Sequence, residues 1–324
     1  MILRIFKTSQ PLSWILIVLL IVVLRVLLFT FLYEPVEVTE TSNLFGLWIE
    51  QFNAFYPWLS HVLSTVIVLF TGFYFNKIAQ SVNILNGINY LLVFFTGIFM
   101  SFYPVDLVLS PMIITTPILL YSYFLILDQP KGNVRAPLVF NSAFFIGFAG
   151  LLFFPSGLML LILLFALGYL NQSSWRPFVI AIIGVLTPWL FFDVLVFTFG
   201  SVEFLKINEW STHFEGFQIS NFEPFIFTLG FLSLVLVHAV LYFRASSHSI
   251  IKIQKSLMLN FIYLLISIVF TGFFTDAENY LVGLLIIPVS ILFTVFHLET
   301  KKWWVSDLAF IALIGLMYVN YFGI

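Results

Sequence analysis

Apolar residues run through this chain in blocks too long for strands and too continuous for the one-sided faces of soluble helices. Eleven blocks stand out, at 12–33, 57–76, 88–103, 107–127, 138–153, 157–170, 178–199, 224–243, 257–275, 279–297 and 305–322. A stretch of about 17–25 apolar residues fits a helix that crosses roughly 30 Å of hydrocarbon. The third, fifth and sixth blocks are short. Only Pro104-Val105-Asp106 parts the third from the fourth, and Phe154-Pro155-Ser156 the fifth from the sixth. Each pair reads as two spans or as one re-entrant hairpin, and both readings return the chain to the side it left. The pattern predicts an all-α, polytopic integral membrane protein with about eleven transmembrane helices.

Two connections are more than turns. After the first block, Thr41, Ser42 or Asn43 can cap a helix whose apolar positions Leu44, Phe45, Trp48, Phe52 and Phe55 recur at three- and four-residue intervals. Such a helix lies along a membrane surface. Residues 200–223 carry Phe204, Leu205, Ile207, Trp210, Phe214, Phe217, Ile219 and Phe222 among four glutamates and are expected to rest on the same surface. No fixed-period repeat or low-complexity tract interrupts the scheme.

Composition sharpens this reading. Of 324 residues, 61% are hydrophobic and 9% charged, and 42 are Phe. A soluble domain carries roughly 25% charged residues, so an ordinary aqueous globule is excluded. A net charge of -2 without a basic run makes nucleic acid an unsuitable partner. The absence of cysteine removes disulfides, thiolate metal sites and a thiol nucleophile.

Charge also orients the chain. With the N-terminus inside, Arg4, Lys7, Lys77, Lys131, Arg135, Arg176, Arg244, Lys252, Lys255, Lys301 and Lys302 all fall on the inner side. Only Lys206 is outside, and Arg25 lies within the first span. This asymmetry is the one that sets topology, and it predicts a cytoplasmic N-terminus and an external C-terminus. Arg4 and Lys7 before the first block resemble the start of a signal peptide. No small-residue cleavage pattern follows, so a retained anchor is expected.

The residues able to carry chemistry are few. Glu34, Glu37 and Glu40 follow the first span and set three carboxylates at the outer surface, where a carboxylate can act as general base or hold a divalent cation. Arg25 sits inside a span, where a guanidinium is expensive unless it faces protein or a wet cavity. Asp193, in the outer half of the seventh block, reads as a buried carboxylate with the same need and is the expected partner; a lipid phosphate is the alternative. His213 stands between Glu209 and Glu215 in the second outer loop. His61 and His238 lack a second histidine three or four residues away and read as core residues rather than metal ligands. Ala143, Gly147 and Gly150 place small residues where helices can approach closely. Phosphate-binding glycine loops and Ser-His-Asp sets are absent.

Residues 1–199 resemble the polytopic C-type glycosyltransferases (GT-C), whose shared module has seven spans, an acidic residue and interfacial helices in the first outer loop, and short hairpin-like spans after it. Glu34, Glu37 and Glu40 stand where the acidic motif would be, and Leu44 to Phe55 where the interfacial helix would be. Phe148-Ala149-Gly150-Leu151-Leu152-Phe153-Phe154-Pro155-Ser156 is similar to a Gly-Leu segment ending in Lys-Pro. Here the lysine is Phe154, and neither an Asp-Glu nor an Asp-X-Asp pair occurs. The resemblance divides the chain into a module at 1–199, an outer loop at 200–223 and a four-span module at 224–324. It implies sugar transfer from a polyprenyl phosphate, with Glu34 or Glu37 as the base. Arg25 or Lys206 would face the phosphate, with Asp193 and His213 nearby, and no resident cofactor would be needed beyond at most a divalent cation. The opening Met1-Ile2-Leu3-Arg4-Ile5-Phe6-Lys7-Thr8-Ser9-Gln10-Pro11-Leu12 is also similar to uncharacterised bacterial multi-pass proteins, which implies an inner-membrane location. The other reading is a non-enzymatic subunit that binds lipid or membrane-protein partners in envelope assembly or secretion. A transporter is a weaker third option, since paired halves with midplane polar sites are not evident.

Overall fold

A computed structural model describes residues 6, 11–32, 44–85, 89–102, 104–130, 134–170, 174–199, 233–239, 242, 251–273, 282–300 and 302–322. Among the described residues every regular element is helical. The α-helices are α1 (Pro11–Leu32), α2 (Leu44–Phe55), α3 (Pro57–Ser81), α4 (Leu91–Phe99), α5 (Pro111–Leu127), α6 (Ala136–Leu152), α7 (Met159–Leu170), α8 (Arg176–Phe199), α9 (Ile251–Phe273), α10 (Val282–Glu299) and α11 (Trp303–Phe322). Three are long and apolar enough to cross a membrane, namely α1, α3 and α8. Residues 233–239 are also helical, within the eighth predicted block.

Proline marks the starts. Pro11, Pro57 and Pro111 open α1, α3 and α5, while Pro137 and Pro177 are second in α6 and α8. In the first turn proline's fixed φ suits the helix and its missing N–H would be unbonded anyway. Ser110 adds a side-chain cap to α5, accepting from the Ile113 amide at 3.1 Å. A proline inside a helix instead frees the carbonyl four residues earlier. For Pro288 in α10 that carbonyl belongs to Leu284, and the Ser267 hydroxyl of α9 donates to it at 3.5 Å.

Both ambiguous pairs are pairs of separate helices. The partner of α5 is α4, only nine residues long, and a non-helical stretch with one 3-10 turn, Pro104–Leu107, joins them. A second 3-10 turn, Phe154–Leu158, joins α6 to the twelve-residue α7. Small residues let these helices close up. A Cβ on Gly97 of α4 would overlap the Ile21 side chain of α1, and one on Gly147 of α6 would overlap the Val185 carbonyl of α8. On the facing helix, a Cβ on Gly184 would lie 2.7 Å from the Ala143 Cβ and 2.9 Å from the Phe140 carbonyl. The expected role of Ala143 and Gly147 is thus observed, and Gly184 supplies the matching hollow.

The core has an unusual distribution of polarity. The buried positions of α3 include Ser60, His61, Ser64, Thr65, Thr71, Gly72 and Asn76. Its exposed positions include Trp58, Leu59, Val62, Leu63, Val66 and Phe70. A helix in water has the reverse arrangement. On α1 the buried row is Ser13, Ile17, Ile21, Arg25 and Phe29, at four-residue steps, with Leu19, Val23, Leu27 and Phe31 outside.

Candidate functional site

Four elements converge on Arg25. Gly97 lets α4 lie against Ile21, one turn before Arg25, so the C-terminal end of α4 arrives beside the guanidinium. The helix ends at Phe99, and the following carbonyls have no helical partners. Arg25 supplies donors: its Nη1 gives hydrogen bonds to the Met100 carbonyl and the Ser101 hydroxyl, both at 3.1 Å. Its Nη2 donates to Ser64 Oγ at 2.6 Å, to the Asp106 carbonyl at 2.7 Å and to the Leu107 carbonyl at 3.3 Å. Its Nε donates to Thr65 Oγ1 at 3.0 Å. The residue is 0% exposed. At 1.5 Å per residue, Ser64 and Thr65 place the guanidinium about 10 Å below the start of α3.

The rest of the cluster completes the backbone of residues 100–110. Ser64 Oγ donates to the Asp106 carbonyl at 3.0 Å, and His61 donates from Nδ1 to the Leu107 carbonyl at 2.7 Å. Asn53 of α2 donates to the Leu109 carbonyl at 2.9 Å, while the Leu109 amide donates to Ser60 Oγ at 2.8 Å. The Ser60 hydroxyl donates to Asn53 Oδ1. His61 stacks on Phe29 with 4.3 Å between ring centroids, and its Nε2 is buried without a hydrogen-bond partner.

Asp106, in the connection between α4 and α5, is 1% exposed and accepts from Ser110 Oγ at 2.9 Å. Burial pushes its carboxyl up to about 7, partly opposed by the Ser110 hydrogen bond and the Arg25 charge. Chemically, the arrangement is a fork of fixed donors that gathers carbonyls and hydroxyls, with one carboxyl that can exchange a proton near neutral pH.

The expected residues fare differently. Arg25 faces the interior, as expected. Its pairing with Asp193 does not form. Asp193 is exposed on α8 rather than buried, and Arg25 is instead bound by α3 and residues 100–107. Neutral acceptors with fixed geometry substitute for the expected carboxylate, and the nearby acid is Asp106. Glu34, Glu37, Glu40, Lys206 and His213 lie outside the described residues. Sequence reasoning missed Asn53, Ser60, Ser64, Thr65 and Ser101. For Ser60, Ser64 and Thr65 the signal was the helical spacing of small polar residues in an apolar run; Asn53 and Ser101 carried none.

A second polar group lies elsewhere in the core. His238 and His297 are fully buried with ring centroids 5.7 Å apart, although 59 positions separate them in sequence. Phe293 stacks on His238 at 3.7 Å, and His297 Nδ1 lies 2.6 Å from Ser306 Oγ.

Fold and site together define an all-helical protein built around a buried arginine that closes a non-helical connection. Residues 40–323 match the model of a family of unknown function, DUF6427, and the chain belongs to that family. No curated protein and no solved structure matches it.

Proposed function

We propose that this protein is a multi-pass integral membrane protein of the bacterial inner membrane, N-terminus inside, and a non-enzymatic subunit that binds lipid or a membrane partner. The membrane part of the reading rests on the inverted polarity of α3, which has hydroxyls, His61 and Asn76 inside and Trp58, Leu59, Val62, Val66 and Phe70 outside. Only an apolar surrounding makes that distribution favourable. The non-enzymatic part rests on Arg25. Its nitrogens are engaged by Ser64, Thr65, Met100, Ser101, Asp106 and Leu107, so stabilising a leaving phosphate would first require dismantling the cluster.

One observation favours the glycosyltransferase-like alternative. An amphipathic helix, α2, does follow the acidic residues 34–40 and precedes α3, which is the order the resemblance implies. In that reading Glu34 or Glu37 is the base and a polyprenyl-phosphate sugar the donor. Replacing both, Glu34→Gln with Glu37→Gln, in a strain that depends on the protein separates the two. Full complementation supports the subunit reading. Loss of complementation at unchanged protein level overturns it in favour of catalysis.

A further inference from the structure

Asp193 has no role in the cluster described above, and its surroundings are at odds with its charge. It sits six residues before the end of α8, about 9 Å along the axis. It is exposed and has no hydrogen-bond or ionic partner among the described residues. Its neighbours on the exposed surface are Leu190 at 63%, Phe191 at 65%, Val194 at 61% and Leu195 at 55%. Thr187 and Thr198, the nearby hydroxyls, are turned back onto the Ile183 and Val194 carbonyls of their own helix. The helix packs Gly184 against Phe140 and Ala143 of α6, and among the described residues nothing covers the face of Leu190, Phe191, Val194 and Leu195.

On a helix in lipid an ionised carboxylate below the membrane surface is unfavourable, and such residues are normally paired. Serine or threonine can satisfy itself on its own helix, but a carboxylate only accepts and needs a donor from elsewhere. Within the bundle the nearest candidate cation by depth, Arg25, is committed to its own acceptors. We infer that Asp193 and the apolar surface of Leu190, Phe191, Val194 and Leu195 form a docking face for a transmembrane helix of a partner protein that carries a Lys or Arg at the depth of Asp193. The apolar residues give shape and packing; the carboxylate selects the partner by charge and fixes its register, since a cation one turn away would leave both charges unpaired in lipid. The inference rests on the membrane and partner-binding reading above and adds the site and the chemistry of the partner.

The test uses the full chain in phosphatidylethanolamine–phosphatidylglycerol vesicles with a photo-crosslinker at Leu190. The probes are leucine-rich peptides of about 20 residues, one with a single Lys at the depth of Asp193, one with that Lys about 15 Å nearer the opposite face, and one all-leucine. The expected result is cross-linking of the depth-matched peptide at about tenfold lower concentration than the other two, a preference lost in Asp193→Asn. In Asp193→Lys the preference should pass to a peptide with Glu at that depth, which a folding defect could not produce. Equal cross-linking of all peptides would overturn the inference, and so would a preference that emerges only in Lys206→Met, since the chain would then satisfy Asp193 itself. Either outcome leaves the membrane reading intact. Failure of α8 to span the vesicle membrane, read from protease protection of its two ends, would instead remove the reading itself.

Discussion

Arg25→Leu tests what the buried guanidinium does. Among the described residues the substitution removes six hydrogen bonds, to Ser64, Thr65, Met100, Ser101, Asp106 and Leu107. The losses are unequal. The Asp106 carbonyl keeps Ser64 as a donor, the Leu107 carbonyl keeps His61, and the three hydroxyls keep bonds of their own through Ser64 to Asp106, Thr65 to His61 and Ser101 to Gly97. The Met100 carbonyl is left buried with none, at about 1–3 kcal/mol. Five lost charge-assisted bonds add to this, while removal of a buried charge offsets part of the sum. A net loss of about 2–4 kcal/mol is expected, as when a buried hydrogen-bond network is broken. Arg25→Lys is the sharper variant. It preserves the charge but offers three donors from one nitrogen and cannot span acceptors on α3, past the end of α4 and within the 3-10 turn. If Arg25 is a fork that gathers residues 100–107, Lys should recover less than half of the loss. If it is only a counter-charge for Asp106, Lys should recover most of it. Unfolding in mixed detergent micelles, followed by tryptophan fluorescence, measures both. An Arg25→Lys protein within about 0.5 kcal/mol of the parent would refute the fork argument.

Three other predictions concern separate parts of the structure. Reporter fusions should place residues 34–43 and 200–223 outside and residues 131–133 inside, and the opposite result would reverse the orientation drawn from the basic residues. Gly147→Ala should cost about 1–3 kcal/mol because its Cβ would meet the Val185 backbone, whereas Gly168→Ala and Gly315→Ala, with nothing within 4 Å, should cost nothing; thermal stability in detergent compares the three. Asp106 has a carboxyl raised from 3.8 to about 7, so the folded state holds a proton that the unfolded state has lost between those values. Its contribution to stability is therefore fully present below about pH 4 and is lost as pH rises to about 7, by at most roughly 4 kcal/mol. Asp106→Asn, which can still accept from Ser110, should flatten the unfolding curve across that window; an unchanged pH dependence would show that the carboxyl does not titrate there.

How much of this was readable from residues alone depends on whether the determinant was local. Helix positions were, because a long apolar run and a proline at its first turn act within one segment; α1 at Pro11–Leu32 and α5 at Pro111–Leu127 fall almost on the blocks at 12–33 and 107–127. Arg25 was legible for the same reason, since a charge inside a span must be answered somewhere. Its answer was not, because the acceptors are chiefly carbonyls and hydroxyls rather than opposite charges. A backbone carbonyl has no sequence signature, and α4 exposes Met100 to Arg25 only because it stops at Phe99 and because Gly97 admits Ile21. Charge complementarity pointed instead to Asp193, the nearest acid by depth. That choice treated every intramembrane charge as facing inward, which holds for Arg25 on its row with Ile17 and Ile21 but fails for Asp193, whose neighbours Leu190, Phe191 and Val194 are all exposed. The periodic signal that would have separated them lies in the small residues. Ser60, Ser64 and Thr65 repeat at helical spacing on the inner face of α3, and Gly184 marks the inner face of α8; at about a hundred degrees per residue Asp193, nine positions on, lies on the opposite side. In an apolar helix the inner face is marked by what is small or hydroxylated, so a charge lying off that stripe belongs to a surface that something else must meet.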